Sequence, residues 1–156
     1  MADTVEYIWG YGDNGTHVEL CEFPALTCYD NGVIEAEWSH NQGLAGEFWP
    51  YFLYRYNAET DQYEICGGAD AWDKSVAKTK EQGEDFPDDI DADQDGVVYY
   101  LLPADWDGNY DMEPVDGAKY RTWRESFLEG ASEMDDIWFW DLKEENIAIL
   151  GAEKPD

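Results

Sequence analysis

Turn-forming residues cut the chain up to Cys66 into strand-length pieces, and this punctuation constrains the fold more than any other feature of the sequence. Val5 to Trp9 is rich in strand formers, Gly12-Asp13-Asn14-Gly15 is a turn signal, and Thr16 to Phe23 alternates well enough to return. Ala25 to Tyr29 is closed by Asp30-Asn31-Gly32, and Val33 to Ser39 runs back. Asn and Gly tolerate positive φ, so their place between two strand-like runs marks a hairpin. Glu47 to Tyr56 reads as an aromatic strand interrupted by Pro50, whose missing N–H suggests an edge or a bulge. Asn57 to Asp61 turns the chain once more and Gln62 to Cys66 pairs back. Successive hairpins make an antiparallel meander the most economical topology.

The second half mixes elements. Trp72 to Thr79 is expected to form a short helix, Gln82 to Gly96 is too acidic and punctuated for regular structure, and Val97 to Pro103 reads as a strand. Ala104 to Pro114 reads as an acidic loop around Asp107-Gly108-Asn109. Asp116 can cap a helix that runs to Leu128 and stops at Gly130, with Tyr120, Trp123 and Phe127 on its apolar face. Ile137 to Trp140 is expected to be a final strand. Asp141-Leu142-Lys143-Glu144 resembles a capping box opening a last helix, with Leu142, Ile147 and Leu150 inward and Gly151 at its end. The expected fold is one α+β domain over residues 1–156: an antiparallel β-meander sheet with two or three short helices, mostly in the C-terminal half.

Charge decides which partners are open to such a domain. The chain carries 37 Asp and Glu against 9 Lys and Arg, a formal net charge of -28. DNA, RNA and anionic lipid would repel it, so direct binding to them is excluded. High charge with few aromatics would signal disorder, but 8 Trp, 11 Tyr and 6 Phe supply ample core material. No apolar stretch is long enough to span a membrane. Cys21, Cys28 and Cys66 lack C-x-x-C spacing and read as buried thiols. His17 and His40 are the only imidazoles, and no nucleophile elbow, zincin or phosphate-binding glycine motif occurs, so no enzymatic activity is expected. Trp9, Trp38, Trp49 and Trp106 read as core rather than as a stacking platform.

Acidic density peaks between Glu84 and Asp95, where seven carboxylates fall within twelve residues. Within that run Asp91-Ala92-Asp93-Gln94-Asp95-Gly96 has the D-x-D-x-D-G spacing of a calcium loop. Alternate carboxylates converge on one hard cation, and the glycine permits the sharp turn that brings them together. Asp91, Asp93 and Asp95 would give side-chain oxygens and Val97 a backbone carbonyl. A full twelve-residue loop ends in a bidentate Glu, but Leu102 holds that position here, so Asp88 or Asp89 would complete the shell from upstream. The competing reading is a solvated acidic turn. A second acidic turn, Asp105-Trp106-Asp107-Gly108-Asn109, has too few carboxylates to bind calcium alone.

Two function classes follow. One is a non-enzymatic, strongly acidic binding or interaction domain with a single Ca2+ loop. The other is a polyanion mimic: a charge of -28 equals that of about fourteen base pairs, and a rigid protein displaying it could block the basic cleft of a nuclease or nucleic-acid-binding protein. Inhibitors of bacterial defence nucleases, of the anti-restriction and anti-CRISPR type, and nuclease immunity proteins have this size and charge. The mimic requires a basic protein partner.

Several strings carry a resemblance: Glu22-Phe-Pro-Ala-Leu-Thr-Cys-Tyr-Asp-Asn-Gly32, Trp38-Ser-His-Asn-Gln-Gly-Leu-Ala-Gly46, Phe48-Trp-Pro-Tyr51 and Asp70-Ala-Trp-Asp-Lys74. Phe86-Pro-Asp-Asp-Ile-Asp-Ala-Asp-Gln-Asp-Gly96, Trp123-Arg-Glu-Ser126 and Glu144-Glu-Asn-Ile147 belong with them. Together, from about Glu22 to Leu150, they resemble a group of uncharacterised acidic, lipoprotein-type extracellular domains of anaerobic bacteria. The resemblance implies cell-surface placement and a D-x-D-x-D-G loop, and brings no activity with it. Such proteins usually carry a leader and a further N-terminal acidic loop, whereas Met1-Ala2-Asp3-Thr4 lacks the basic and apolar regions of a signal peptide. As written the sequence is expected in the cytoplasm; as the C-terminal part of such a protein it is expected at the cell surface.

Overall fold

The computed structural model describes the backbone of residues 6–12, 15–22, 24–38, 43–80 and 83–134, and side chains within 26–37, 43–80 and 83–134. Strands β1 (Glu6–Gly12) and β2 (Gly15–Glu22) form a two-stranded antiparallel hairpin with a register shift between Ile8 and Trp9. Strands β3 (Pro24–Cys28), β4 (Val33–Trp38), β5 (Tyr51–Asn57), β6 (Gln62–Asp73) and β7 (Val97–Leu102) make a five-stranded antiparallel meander in that order. One helix, α1 (Gly117–Leu128), follows.

Local chemistry explains the hairpins. Gly32 adopts φ 82° between β3 and β4, and Asn31 Oδ1 accepts the Val33 N–H at 3.1 Å, an arrangement few other residues allow. Asn57 repeats the device between β5 and β6 by accepting the Glu59 N–H at 2.9 Å. Pro50 is buried and lies just before β5 rather than within it, so the strand begins at Tyr51 with every ladder donor intact. A bulge opposite Leu53 and Tyr54 leaves Cys66 as the extra residue of β6. Neither Cys28 nor Cys66 is in a disulfide.

Alternation along the strands produces two apolar faces. Val33, Tyr51, Leu53 and Ala69 form one, covered by Tyr120, Trp123, Phe127 and Leu128 of α1. Trp72, Val98, Tyr100 and Leu102 lie on the other, covered by Phe86 and Ile90 of the loop after β6 and by Trp106 and Met112 of the loop after β7. Ile34, Ala36 and Tyr54 extend that second face toward Leu26 and Ile65.

The helix expected over Trp72 to Thr79 does not form. Strand β6 continues through Asp73, because Trp72 pairs with Val98 and is fully buried, and a helix there would break that ladder. A turn follows in which Asp73 Oδ1 accepts the Ser75 N–H at 2.7 Å, and Trp72 Nε1 donates to the Ala77 carbonyl at 2.8 Å. Among the described residues α1 is therefore the one helix, against the two or three expected. The strand at Ile137 to Trp140 and the helix after Asp141 lie outside the described residues.

Helix α1 has the expected cap and face: Asp116 Oδ2 accepts the Ala118 N–H at 3.0 Å, and Gly130 takes φ 73° beyond its end. An ion pair fastens it to the sheet. Arg124 Nη2 donates to Glu35 Oε2 at 2.6 Å and to Tyr29 Oη at 3.0 Å, and the Tyr51 and Tyr120 hydroxyls meet at 3.0 Å. Among the described residues no helix is long and apolar enough to cross a membrane.

Candidate metal centre

The acidic loop joins the second core face to the start of β7. Ile90 packs against the Trp72 cluster and anchors the chain, and the next residue, Asp91, is drawn in with it to 7% exposure. Gln94 at φ 60° and Gly96 at φ 84° then reverse the backbone. Gly96 Cα has only the Lys74 side chain near its open side, so its conformation rather than crowding calls for glycine.

The loop organises its own carboxylates. Asp91 Oδ2 accepts the Gly96 N–H at 3.0 Å, Asp93 Oδ1 lies 3.4 Å from the Asp95 N, and Asp95 Oδ1 accepts the Val97 N–H at 2.8 Å. Each carboxylate thus spends one oxygen on the backbone and leaves the other. One oxygen from each of Asp91, Asp93 and Asp95 lies within 4.8 Å of the other two. The remaining oxygen of Asp91, Oδ1, is buried and has no hydrogen-bond partner among the described residues. Leaving such an acceptor dry costs about 1–3 kcal/mol, and more when it is charged.

Of the residues singled out from the sequence, the fold brings together Asp91, Asp93 and Asp95. Asp89 is exposed on the preceding turn and is not in that converging set, and Asp88 pairs with Lys74. Val97 enters β7 opposite Asp73. Leu102, at the position of the usual closing Glu, ends β7 inside the core, so the loop runs into a strand and not into a second helix.

The sequence marks Asp116 as a helix cap only, and not as a neighbour of this loop. Its Oδ2 caps α1 while its Oδ1 accepts the Ala92 N–H from the loop at 3.2 Å. The Ala118 amide foremost, then those of Ala92, Asp93 and Gly117, hold this carboxyl below the usual carboxylate range. Asp93 Oδ2 sits 3.4 Å from where a Cβ on Gly117 would stand, so the loop lies directly against the first residue of the helix.

Two other acidic groups have internal explanations. In the second acidic turn Asp107 accepts the Asn109 backbone N–H at 3.1 Å and its side-chain amide at 3.0 Å, which lowers its carboxyl. Asp70 lies between the loops over the second face: the Tyr110 hydroxyl donates to it, while burial, the larger influence, raises its carboxyl. Beside it Lys80 Nζ reaches the Tyr100 hydroxyl at 2.6 Å and Glu84 at 3.1 Å.

No protein-family model matches this chain, and neither a curated protein nor a solved structure matches it.

Proposed function

We propose that this protein is a non-enzymatic binding domain whose Asp91–Asp93–Asp95 loop takes one calcium ion. The observation that carries the reading is Asp91 Oδ1, a buried oxygen without a partner among the described residues, in a converging set of three carboxylates. Calcium prefers six to eight oxygen ligands at about 2.4 Å, so two ligand oxygens on one ion are separated by up to about twice that distance. The three Asp oxygens, within 4.8 Å of one another, meet this limit. Magnesium asks for a tighter octahedron at about 2.0–2.1 Å and gives up its waters reluctantly, which favours calcium here. The Val97 carbonyl and Asp89 are proposed to complete the shell with water.

The resemblance to lipoprotein-type extracellular domains supports the same assignment. Extracellular modules hold calcium at about 10⁻⁴–10⁻³ M, an affinity that three carboxylates and a few waters can supply. A net charge of -28 attracts any divalent ion loosely, so the test must separate a site from an atmosphere. Thermal melts in excess chelator, in calcium and in magnesium at matched ionic strength do so, with Asp93→Ala alongside. The site predicts a midpoint raised selectively by calcium and lost in the variant. Equal response to both ions, or none, overturns it and returns the acidity to polyanion mimicry, whose signature is salt-sensitive capture of a basic protein.

A further inference from the structure

The metal loop and α1 are connected by more than proximity. Asp116 accepts a hydrogen bond from each: Ala92 in the loop at 3.2 Å and Ala118 in the first turn of the helix at 3.0 Å. Just before it, Val115 exchanges two hydrogen bonds with Tyr99 at the β7 edge, at 2.9 and 2.7 Å. Tyr99 in turn stacks on Tyr120 of α1 with centroids 4.3 Å apart and planes 6° from parallel. Gly117 is buried with Asp93 Oδ2 against it. The helix has only twelve residues, with no acidic residue in its first turn and no basic residue in its last. A helix of that length is marginal in water and depends on docking.

We propose that Asp116 couples the cation loop to α1, so that loading Asp91, Asp93 and Asp95 clamps the helix onto the sheet and helix docking in turn raises affinity for the ion. The proposal rests on the calcium reading of the loop. Undocking α1 carries Asp116 away from Ala92 and frees the Asp91–Asp93 backbone. Fixing that backbone around an ion opposes undocking. Coupling of this kind is reciprocal, and its usual size is 5–150-fold in affinity.

Asp116→Asn is the discriminating variant. Asn is as good a helix cap as Asp, so α1 keeps its Ala118 bond, but only one side-chain oxygen remains to accept and the bridge to Ala92 is broken. Asp105→Asn, at an exposed position in the loop after β7, removes the same charge and serves as the control. Calcium affinity by titration calorimetry should fall about tenfold in Asp116→Asn and little in the control. Hydrogen exchange of the amides of 118–128 should slow at least about tenfold in the wild type at calcium one hundred times its Kd, and not in Asp116→Asn. Wild-type protein that binds calcium with unchanged exchange in α1 overturns the coupling and leaves the site standing. So does an Asp116→Asn variant that matches the control. Wild-type protein with no selective calcium binding removes the site and the coupling with it.

Discussion

Asp91→Asn should change the sign of its effect on stability when calcium is added. Asp91 is 7% exposed, and its Oδ1 is buried with no partner among the described residues. Without metal this is a dry acceptor on a charged group, at a cost of about 1–3 kcal/mol or more. Asn keeps an oxygen for the Gly96 N–H and removes the charge that repels the neighbouring carboxylates of Asp93 and Asp95. The neutral bond to Gly96 is weaker than the charged one and returns part of the gain. The net expectation in chelator is a variant about 1 kcal/mol more stable, or about 2–4 °C in Tm for a chain of this length. Calcium at one hundred times its Kd stabilises the wild type by about 2.7 kcal/mol, or about 5–10 °C, and the variant hardly at all. The order of the two melting curves therefore reverses. Calorimetric or circular-dichroism melts at pH 7 and fixed ionic strength measure it. A variant less stable than wild type in chelator, with neither protein responding to calcium, would refute the reasoning and make Asp91 a turn residue serving Gly96 alone.

Arg124→Met strands Glu35, which is 6% exposed, and should cost about 3 kcal/mol in urea denaturation, with most of it recovered by adding Glu35→Leu. Gly67→Ala places a Cβ 3.0 Å from Trp123 Cζ2 and 3.2 Å from Phe127 Cζ; α1 must give way, at about 1–2 kcal/mol, with faster exchange in its amides. Asp70→Asn should stabilise the protein at pH 7 more than at pH 4, read from paired denaturation curves. The folded carboxyl of Asp70 titrates above its ordinary 3.8, so its contribution to stability is fully present below that value and is lost as pH rises through the folded value. An Asn effect that does not change with pH over this range would contradict that assignment.

The sequence was most legible where structure is decided within a few residues. Asp30-Asn31-Gly32 and Asn57 to Asp61 make turns because their own side chains and backbone freedom close them. Asp116 and the spacing of Tyr120, Trp123 and Phe127 announce α1 for the same reason. The run from Trp72 to Thr79 looks helical in isolation, but its state depends on β7, which begins at Val97 and offers Trp72 a partner in Val98. Similarly, D-x-D-x-D-G spacing predicted which carboxylates would converge, but not that Ile90 would pull Asp91 into the interior. Nor could it predict the second bond of Asp116, made to a residue 24 positions away in sequence. An acid shared between a helix cap and a loop anchor looks like a cap alone in the sequence.

Burial separates the acids of this protein more sharply than their number does. Among the described residues Glu35 and Asp91 are the two buried charged side chains. Glu35 has its cation built into the fold: Arg124 reaches it from α1 at 2.6 Å and Tyr29 donates at 3.2 Å. The guanidinium is held above its ordinary pKa, against the effect of burial, by Glu35 foremost. Asp91 has a backbone N–H on one oxygen and, among the described residues, nothing on the other. Desolvating a carboxylate is costly enough that folds compensate it, and this fold compensates one of the two. At the second it gathers two further carboxylates, which worsens repulsion unless a positive charge enters from solvent. Calcium should therefore relieve Asp91 and leave Glu35 unaffected. Adding calcium to Arg124→Met should leave Glu35 without a cation, because the ion enters at the loop, and the loop itself should bind calcium more weakly than in the wild type, because Arg124 also fastens α1 to the sheet.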